Sequence, residues 1–348
     1  MTLSQDLENI CTNVDNTYFD NKTVVVTGGA GFIGSWMCDA LIKMGANVIC
    51  LDNFSSGKIE NITHHLSNNH FSLIENSVET SDNLFPEKID VLFHLASRAG
   101  PLEFAQHPIE IIKSNTIGTI NMLEIAKANN ARFIYTSTSE IYGNPTIFPT
   151  PETYFGNTNP CGPRSCYDES KRCGETIVLA YHNQYNVDVR IARIFNTYGP
   201  RIRDDGIYGR VIPRFINQAL SGEPITIFGT GAQTRCFNYI TDTVISLLRL
   251  ASSNNIDGTI VNIGNTNEIT IKYLAKIICS ICGRNENYSY YSLMEDDPTR
   301  RIPDTSKMKK IINWISHIPI EEGIQKMLDY QKNRMRLVKS KSEHNGKN

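Results

Sequence analysis

The chain has 348 residues, of which 40% are hydrophobic and 20% charged, as in an ordinary globular protein with room for a large core. A formal net charge of -2 gives no general affinity for a polyanion, so a bound nucleotide would need a local pocket of donors. The acidic start does not resemble a signal peptide and no apolar run approaches the ~20 residues of a membrane span, so a cytoplasmic protein without membrane association is expected.

The elements predicted in chain order alternate between strands and helices. Residues 1–20 are polar without a clear period and are interpreted as a loose N-terminal arm. From Lys22 onward, short apolar runs separated by helical stretches predict a parallel sheet covered on both faces. Strands are expected at 23–26, 47–52, 71–74, 91–95, 133–136 and 189–195, and helices at 35–44, 109–129 and 170–185.

A glycine-rich turn joins the first predicted strand to the first predicted helix. The GxxGxxG spacing of Gly28, Gly31 and Gly34 allows a tight turn, close approach of a pyrophosphate and close packing of helix on strand. The helix N-terminus offers free N–H groups and partial positive charge to the diphosphate. Asp52, at the end of the second strand, would accept hydrogen bonds from the adenosine ribose and repel a 2′-phosphate, which favours NAD over NADP.

The predicted fold class is therefore α/β, with a Rossmann-type doubly wound parallel sheet at 21–196 that carries the catalytic residues. After Asn196, Gly and Pro recur, which indicates a smaller mixed α/β lobe at 197–331 that exchanges chain with the first. The stretch 332–348, basic and then polar, predicts a solvated, partly disordered tail.

Tyr167 and Lys171 are four residues apart, which places them on one face of the predicted helix. A lysine ammonium near a phenol lowers the tyrosine pKa from ~10 toward neutral. Such a tyrosine can take a proton from a sugar hydroxyl while a hydride leaves for the nicotinamide. Thr138, at the end of the fifth predicted strand, can hydrogen-bond the reacting oxygen.

Nine cysteines show no framework spacing, so reduced thiols are expected. The one CxxC, Cys279 and Cys282, lies in the apolar stripe of a helical segment and no second ligand pair follows it. We interpret it as core rather than as a zinc site, and no metal site is predicted.

Together these motifs resemble the extended short-chain dehydrogenase/reductase superfamily of NDP-sugar epimerases, dehydratases and decarboxylases. The resemblance covers about Lys22 to about Tyr330 and is carried by TGGAGFIG (27–34), HLAS (94–97), NTIGT (115–119), YxxxK (167–171) and RIFNTYGPR (193–201). Within the superfamily, NPCGPRSCYDESKR (159–172), GEPITIFGTGAQTRCFNYITD (222–242) and DDPTRRIPD (296–304) are most similar to UDP-glucuronate decarboxylases.

The resemblance implies roles for the matching residues. Tyr167 would be the base with Lys171 as its partner, Thr138 would bind the substrate oxygen, and Ser139 with Glu140 would be the Ser-Glu pair beside the sugar. The nucleotide sugar would contact Lys113, Asn196, Arg235 and Arg301, with guanidinium groups on the diphosphate or the sugar carboxylate. NAD would contact Gly28, Gly31, Phe32, Ile33, Gly34, Asp52, Asn53, Leu95, Ala96, Ser97, Thr136, Tyr167 and Lys171.

The implied reaction is NAD-dependent decarboxylation of UDP-glucuronic acid to UDP-xylose. Oxidation at C4 gives a β-keto acid, which loses carbon dioxide because the electrons flow into the ketone. Return of the hydride then regenerates NAD, so the cofactor is not consumed. The resemblance also implies a homodimer in which helices near 103–129 and 168–185 form a four-helix bundle.

Three alternatives stay open. The runner-up is a 4-epimerase of UDP-glucuronate or another NDP-sugar. A 4,6-dehydratase is less favoured because Ser139 stands where dehydratases carry an acidic Asp. A non-catalytic NAD-binding regulator is less favoured because Tyr167, Lys171 and Thr138 are all present.

Two residues depart from the decarboxylase pattern. Arg98 follows HLAS where a Ser/Pro-rich turn is usual, and a position near the sugar would bear on the choice of substrate. Ser170 replaces a Gly before Lys171, a change that we expect to be harmless on a helix.

Overall fold

The computed structural model describes residues 2–80, 85, 88–204, 206, 209–293 and 295–345, with side chains for all of these except 2, 101 and 337–345. Its strands are β1 (Thr23–Thr27), β2 (Asn47–Asp52), β3 (Phe71–Glu75), β4 (Val91–His94), β5 (Arg132–Thr138), β6 (Val189–Ile194), β7 (Thr197–Tyr198), β8 (Ile225–Phe228), β9 (Thr234–Cys236), β10 (Asn238–Tyr239), β11 (Thr259–Ile263), β12 (Glu268–Thr270), β13 (Tyr288–Tyr291) and β14 (Arg300–Arg301).

Seven strands form one parallel sheet in the order β3–β2–β1–β4–β5–β6–β11. The predicted Rossmann-type fold and its six strands are confirmed, and β11 adds an edge strand from the second half of the chain. The remaining strands pair in small sheets, β7 with β10, β8 with β13, and β9 between β12 and β14.

The helices cover the sheet and complete the second half of the chain. Among the described helices, none combines the length and apolar character needed to cross a lipid bilayer. They are α1 (Thr2–Thr12), α2 (Phe32–Lys43), α3 (Pro101–Gln106), α4 (Pro108–Lys113), α5 (Thr119–Asn129), α6 (Ser165–Tyr185), α7 (Val211–Ser221), α8 (Ile240–Ser252), α9 (Ile271–Ile281), α10 (Ser306–Ile312) and α11 (Ile320–Asn345).

Both faces of strand β1 are covered, which explains why its apolar run has no alternating polar residues. Val24 and Val26 pack with Trp36 of α2 in one hydrophobic cluster. Val25 packs in another cluster, with Met122 of α5. Because successive side chains point to opposite faces of a strand, a sheet covered on both faces requires apolar residues at every position.

The helix predicted at 109–129 is present but contains a π-helical turn at Ser114–Gly118 between α4 and α5. Such turns are frequent at functional sites because they shift the face on which side chains project. Ser170 on α6 accepts a hydrogen bond of 2.9 Å from Asn115 Nδ2 in this turn. The replacement of Gly by Ser at 170 is therefore accommodated and ties α6 to the turn.

The loose N-terminal arm predicted at 1–20 is wrong, because α1 is docked on the core. Asp6 is fully buried and accepts hydrogen bonds from Tyr239 Oη at 2.6 Å and Lys326 Nζ at 2.8 Å. Ile10 and Phe19 belong to the largest hydrophobic cluster. The partners lie hundreds of residues away along the chain, so no local period reveals them.

The solvated, partly disordered tail predicted at 332–348 is helical over most of its length, because α11 continues to Asn345, while the side chains at 332–336 are exposed as expected. Ile324, Met327 and Leu328 anchor the first turns of α11 in the core. Extending a helix that is already nucleated is much easier than starting one, so polar residues can continue it. Residues 346–348 lie outside the described residues.

Candidate active site

A cavity of about 680 Å³ opens at the carboxyl edge of the central sheet. The strand order reverses between β1 and β4, and ligands of doubly wound sheets bind at such a switch point. Nine of the described lining residues are Lys or Arg and five are Asp or Glu, so the cavity suits anionic ligands. The predicted site residues all line it, from the glycine loop at one end to Tyr167, Glu140 and Arg301 at the other.

The glycine loop fits the pyrophosphate of a dinucleotide. Gly28 has φ +69°, and its carbonyl oxygen accepts a hydrogen bond of 3.0 Å from the N–H of Gly31, which closes the turn after β1. A Cβ at Gly34 would lie 2.1 Å from Gly28 O, so a side chain there would push the loop off α2. The first-turn N–H groups of α2 have no partner within the helix and are available to an anion.

Polar atoms beside the loop also fit a nucleotide cofactor. Ser97 Oγ and Asn196 Nδ2 are buried without a hydrogen-bond partner among the described residues, and both side chains line the cavity. Buried polar groups almost always have partners, so these two favour a polar ligand. Asp52 accepts hydrogen bonds from the N–H groups of Ala30 at 2.9 Å and Phe54 at 2.8 Å, and its remaining lone pairs are available to a ribose.

Tyr167 lies near the start of α6, where it is 6% exposed. Its ring stacks on Phe104 with centroids 5.1 Å apart and an interplanar angle of 16°. Burial raises the pKa of the Tyr167 phenol, and a hydrogen bond with Thr138 offsets this only in part. Phe104 was not among the predicted site residues, because no motif marks a ring that packs on the base from another helix.

The expected lowering of the Tyr167 pKa by Lys171 is wrong for this arrangement. Lys171 Nζ donates to the carbonyl oxygen of Thr136 at 2.9 Å and lies 4.9 Å from the centre of the Tyr135 ring. Burial lowers the pKa of Lys171 to about 7. The lysine is therefore only partly charged near neutral pH, and desolvation dominates the pKa of the tyrosine.

Glu140 is clamped by two arginines. Arg301 donates to it through both ends of the guanidinium fork, Nη1 to Oε1 at 2.5 Å and Nη2 to Oε2 at 3.0 Å. Arg164 Nη2 donates to Oε2 as well. Burial by itself would raise the pKa of Glu140, but the two positive charges hold that pKa well below its usual range. Arg164 was missed from the sequence, although it lies within one helical turn of Tyr167.

Arg235 on β9 and Arg301 on β14 are paired in register, so they lie side by side on adjacent strands. Arg235 Nη2 donates to Asp297 Oδ1 at 3.0 Å, and Nη1 donates to the carbonyl oxygen of Thr234 at 2.8 Å. Burial lowers the pKa of Arg235, which is 8% exposed. Two guanidinium groups held side by side favour an anion, and each already has one acidic partner.

Comparison with known proteins shows the family to which the chain is related. The NAD dependent epimerase/dehydratase family matches residues 24–264. UDP-glucuronic acid decarboxylase 2 of Arabidopsis thaliana is 45% identical over 305 residues, which cover 88% of this chain and 67% of that protein. UDP-glucuronic acid decarboxylase 1 of Xenopus tropicalis is 44% identical over 311 residues, which cover 89% of this chain and 72% of that protein.

A solved structure extends the likeness to the fold. UDP-glucuronic acid 4-epimerase from Bacillus cereus, in complex with UDP-glucuronic acid and NAD, superposes with a TM-score of 0.81 at 28% identity, over 89% of this chain and 99% of that one. The resemblance seen in the sequence is thus confirmed. The chain belongs to the NAD dependent epimerase/dehydratase family.

Proposed function

We propose that this protein decarboxylates UDP-glucuronic acid to UDP-xylose, with NAD as a cofactor that each catalytic cycle restores. Relatives named UDP-glucuronic acid decarboxylases are 42% to 45% identical over 88% or more of the chain. The structural observation that carries the proposal is the Glu140 carboxylate, clamped by Arg164 and Arg301 beside Tyr167 in an electropositive cavity. The 4-epimerase alternative is less favoured, because these relatives are more similar to the chain than the solved epimerase is.

The residues around Tyr167 would perform the proton transfers. NAD, held by the glycine loop and Asp52, would supply the hydride acceptor and then the hydride donor for C4 of the sugar, and its positive charge would favour the Tyr167 phenolate. Tyr167 takes the proton of the C4 hydroxyl, while Thr138 hydrogen-bonds the same oxygen. The resulting β-keto acid breaks its C5–C6 bond and the electron pair moves to the C4 oxygen, where Tyr167 and Thr138 donate hydrogen bonds to the enolate. Solvent water would supply the proton that adds at C5, and Tyr167 would return its proton to the C4 oxygen as the hydride returns to C4.

Glu140 and Ser139 would shape the sugar end without acting as acids. The arginines keep Glu140 ionised at neutral pH, so it holds no proton to donate. Its charge instead fixes Arg164 and Arg301 beside the sugar. Ser139 is 2% exposed and stands where a dehydratase needs an acid, which favours loss of carbon dioxide over loss of water.

The function is tested by incubating the purified protein with UDP-glucuronic acid and NAD and measuring the molecular masses of the products by mass spectrometry. We expect a UDP-sugar lighter than the substrate by the mass of carbon dioxide. A product of unchanged mass but different chromatographic mobility would establish the epimerase instead. UDP-glucose, which has no carboxylate, serves as the matched control substrate.

We also propose that two parts of the chain have different roles. Residues 21–196 would bind NAD and carry the catalytic groups, and 197–331 would mainly bind the nucleotide sugar. The glycine loop and Tyr167 belong to the first part and Arg235 and Arg301 to the second, and all of them line one cavity, which supports this division.

We further propose a homodimer formed through the helical segment 108–129 and α6. Ile109, Ile112, Ile117 and Ile120 are between 39% and 57% exposed, which is costly for a row of large apolar side chains. Burying the exposed half of each side chain would contribute about 0.5–1.5 kcal/mol, which favours a symmetric contact through this row.

The dimer is tested by replacing Ile112 and Ile120 together with Asp. We expect the molar mass from light scattering to fall from two chains to one, because two carboxylates per chain would be buried in the contact. Ile147→Asp is the matched control, since Ile147 is 51% exposed and lies outside both helices. A wild-type protein that is already monomeric would reject the proposal.

We place the protein in the cytoplasm. All nine cysteines are free thiols, including the exposed Cys161 and Cys173, which suits a reducing compartment. Fractionation of cells that produce the tagged protein tests this location, and recovery with the membrane or secreted fraction would contradict it.

A further inference from the structure

Arg98 lies at the end of the cavity where the chemistry is proposed to occur. It belongs to the loop that follows β4, at the carboxyl edge of the sheet, and its side chain lines the cavity. Its neighbour Ala99 packs against the cluster of Phe104 and Tyr167. Strand β5, which ends at Thr138, is the direct neighbour of β4. Arg98 is therefore next to a residue that packs on the cluster of the proposed base, and its own side chain lines the same cavity.

Three other guanidinium groups of the cavity already form ion pairs with carboxylates of the protein. Arg164 and Arg301 both hold Glu140, and Arg235 holds Asp297. Taking either partner away from a buried ion pair leaves an uncompensated charge, which is strongly unfavourable. A substrate carboxylate that bound to these arginines would have to displace a carboxylate of the protein.

Arg98 forms no comparable hydrogen-bonded ion pair among the described residues. Its Nη1 lies 3.7 Å from Glu103 Oε1, which is too long for a hydrogen bond, and Arg98 forms none within the part of the chain that the structure describes. The same Oε1 accepts a hydrogen bond of 2.6 Å from Arg203 Nη1. Arg98 is thus left without a hydrogen-bonded acceptor among the described residues, although its guanidinium group is positively charged. The Arg98 side chain is 18% exposed, and water screens this charge only weakly.

We propose that Arg98 binds the carboxylate of the sugar and makes the site selective for nucleoside diphosphate uronic acids over the corresponding neutral sugars. The planar guanidinium fork matches a carboxylate through two parallel hydrogen bonds. A neutral hydroxymethyl group at C6 would leave the charge of Arg98 unpaired in a partly buried position, which selects against it. Glu103 is the positioning residue that directs Arg98 without saturating it. This inference rests on the proposed function for the place of the sugar in the cavity.

The contact would act on binding and specificity, not on the rate of bond cleavage. Carbon dioxide leaves without charge, so an ion pair on the carboxylate stabilises the bound acid more than the transition state. Removal of Arg98 should therefore raise KM for UDP-glucuronic acid and leave kcat unchanged or higher. A purely structural role would instead lower kcat and weaken every ligand.

The experiment measures binding of UDP-glucuronic acid, UDP-glucose and UDP to the NAD-loaded protein by calorimetry. Arg98→Gln should weaken UDP-glucuronic acid by about ten- to a hundred-fold, as expected for loss of one charge-assisted pair. UDP-glucose and UDP should bind as tightly as before, and Arg98→Lys should restore part of the selectivity. Lys88→Gln is the comparison variant, because Lys88 is an exposed cation outside the cavity, and it should not change the preference between the two sugars.

The outcomes separate this inference from the proposed function. Equal weakening of all three ligands by Arg98→Gln, the same selective loss in Lys88→Gln, or a wild-type protein without preference for the uronic acid would each overturn the role of Arg98. Arg98-dependent preference without release of carbon dioxide would support Arg98 and reject the decarboxylase. Release of carbon dioxide with an unchanged preference in Arg98→Gln would support the decarboxylase and reject the role of Arg98.

Discussion

Replacing Tyr167 with Phe is expected to reduce turnover of UDP-glucuronic acid by about 10²- to 10⁴-fold, the usual contribution of a general acid–base group. The change removes only the phenolic oxygen, which is the atom that would take the C4 proton and then stabilise the enolate. The ring would keep its stacking on Phe104 and its burial, so the fold and the cavity should persist. The loss should therefore appear in kcat, with NAD content and UDP affinity close to those of the wild type.

The measurement is kcat and KM for carbon dioxide release, together with the NAD content of the purified variant. Tyr288→Phe is the matched control, because its hydroxyl donates to Glu286 and it does not line the cavity. That variant should keep full activity. A Tyr167→Phe enzyme within about tenfold of wild type would show that another group moves the proton.

Replacing Glu140 with Gln is expected to destabilise the protein by roughly 3–5 kcal/mol, as found when one member of a buried ion pair is removed. Gln keeps the shape of Glu but removes the charge, and so leaves Arg164 and Arg301 without their counter-ion. Arg301 is only 2% exposed, so water cannot replace the lost partner. Turnover should fall too, because two guanidinium groups beside the sugar lose their fixed positions.

The stability of this variant should also depend on pH in a defined direction. The pKa of Glu140 is held below its ordinary value of 4.5, so its charge stabilises the wild type at every pH above that value. As the pH falls toward the lowered pKa, the wild-type carboxylate becomes protonated and this stabilisation is lost. The difference between variant and wild type should therefore be full at neutral pH and shrink in strong acid.

Urea unfolding at several pH values measures the effect, and Glu268→Gln is the matched control. Glu268 also binds an arginine through both oxygens, with Arg300 Nε at 2.7 Å and Arg300 Nη2 at 2.9 Å. That pair lies at the surface, where water screens it, so little change is expected. Similar losses of stability in the two variants would mean that burial does not set the strength of the Glu140 cluster.

The parts of the fold that were predicted correctly are those set by residues close together in the sequence. The strand and helix periods, the glycine spacing and the Tyr167–Lys171 pair are local patterns, and they were enough to predict the sheet and the residues that line one cavity. The helix α1 and the edge strand β11 were not predicted. Asp6, for example, is held by Tyr239 and Lys326, and nothing near Asp6 in the sequence signals either partner.

The sequence by itself determined the fold class, the family and the types of chemical group available at the site, because motifs of a few residues with fixed backbone geometry carry that information. Only the tertiary structure decided how those groups are charged and paired. Glu140 and Arg301 are 161 residues apart along the chain, yet they form one ion pair. Burial of Tyr167 and Lys171 shifts both pKa values away from those expected from the motif alone. The physical reason is that desolvation and Coulomb energies depend on everything that surrounds a group in space, and chain spacing does not encode that environment.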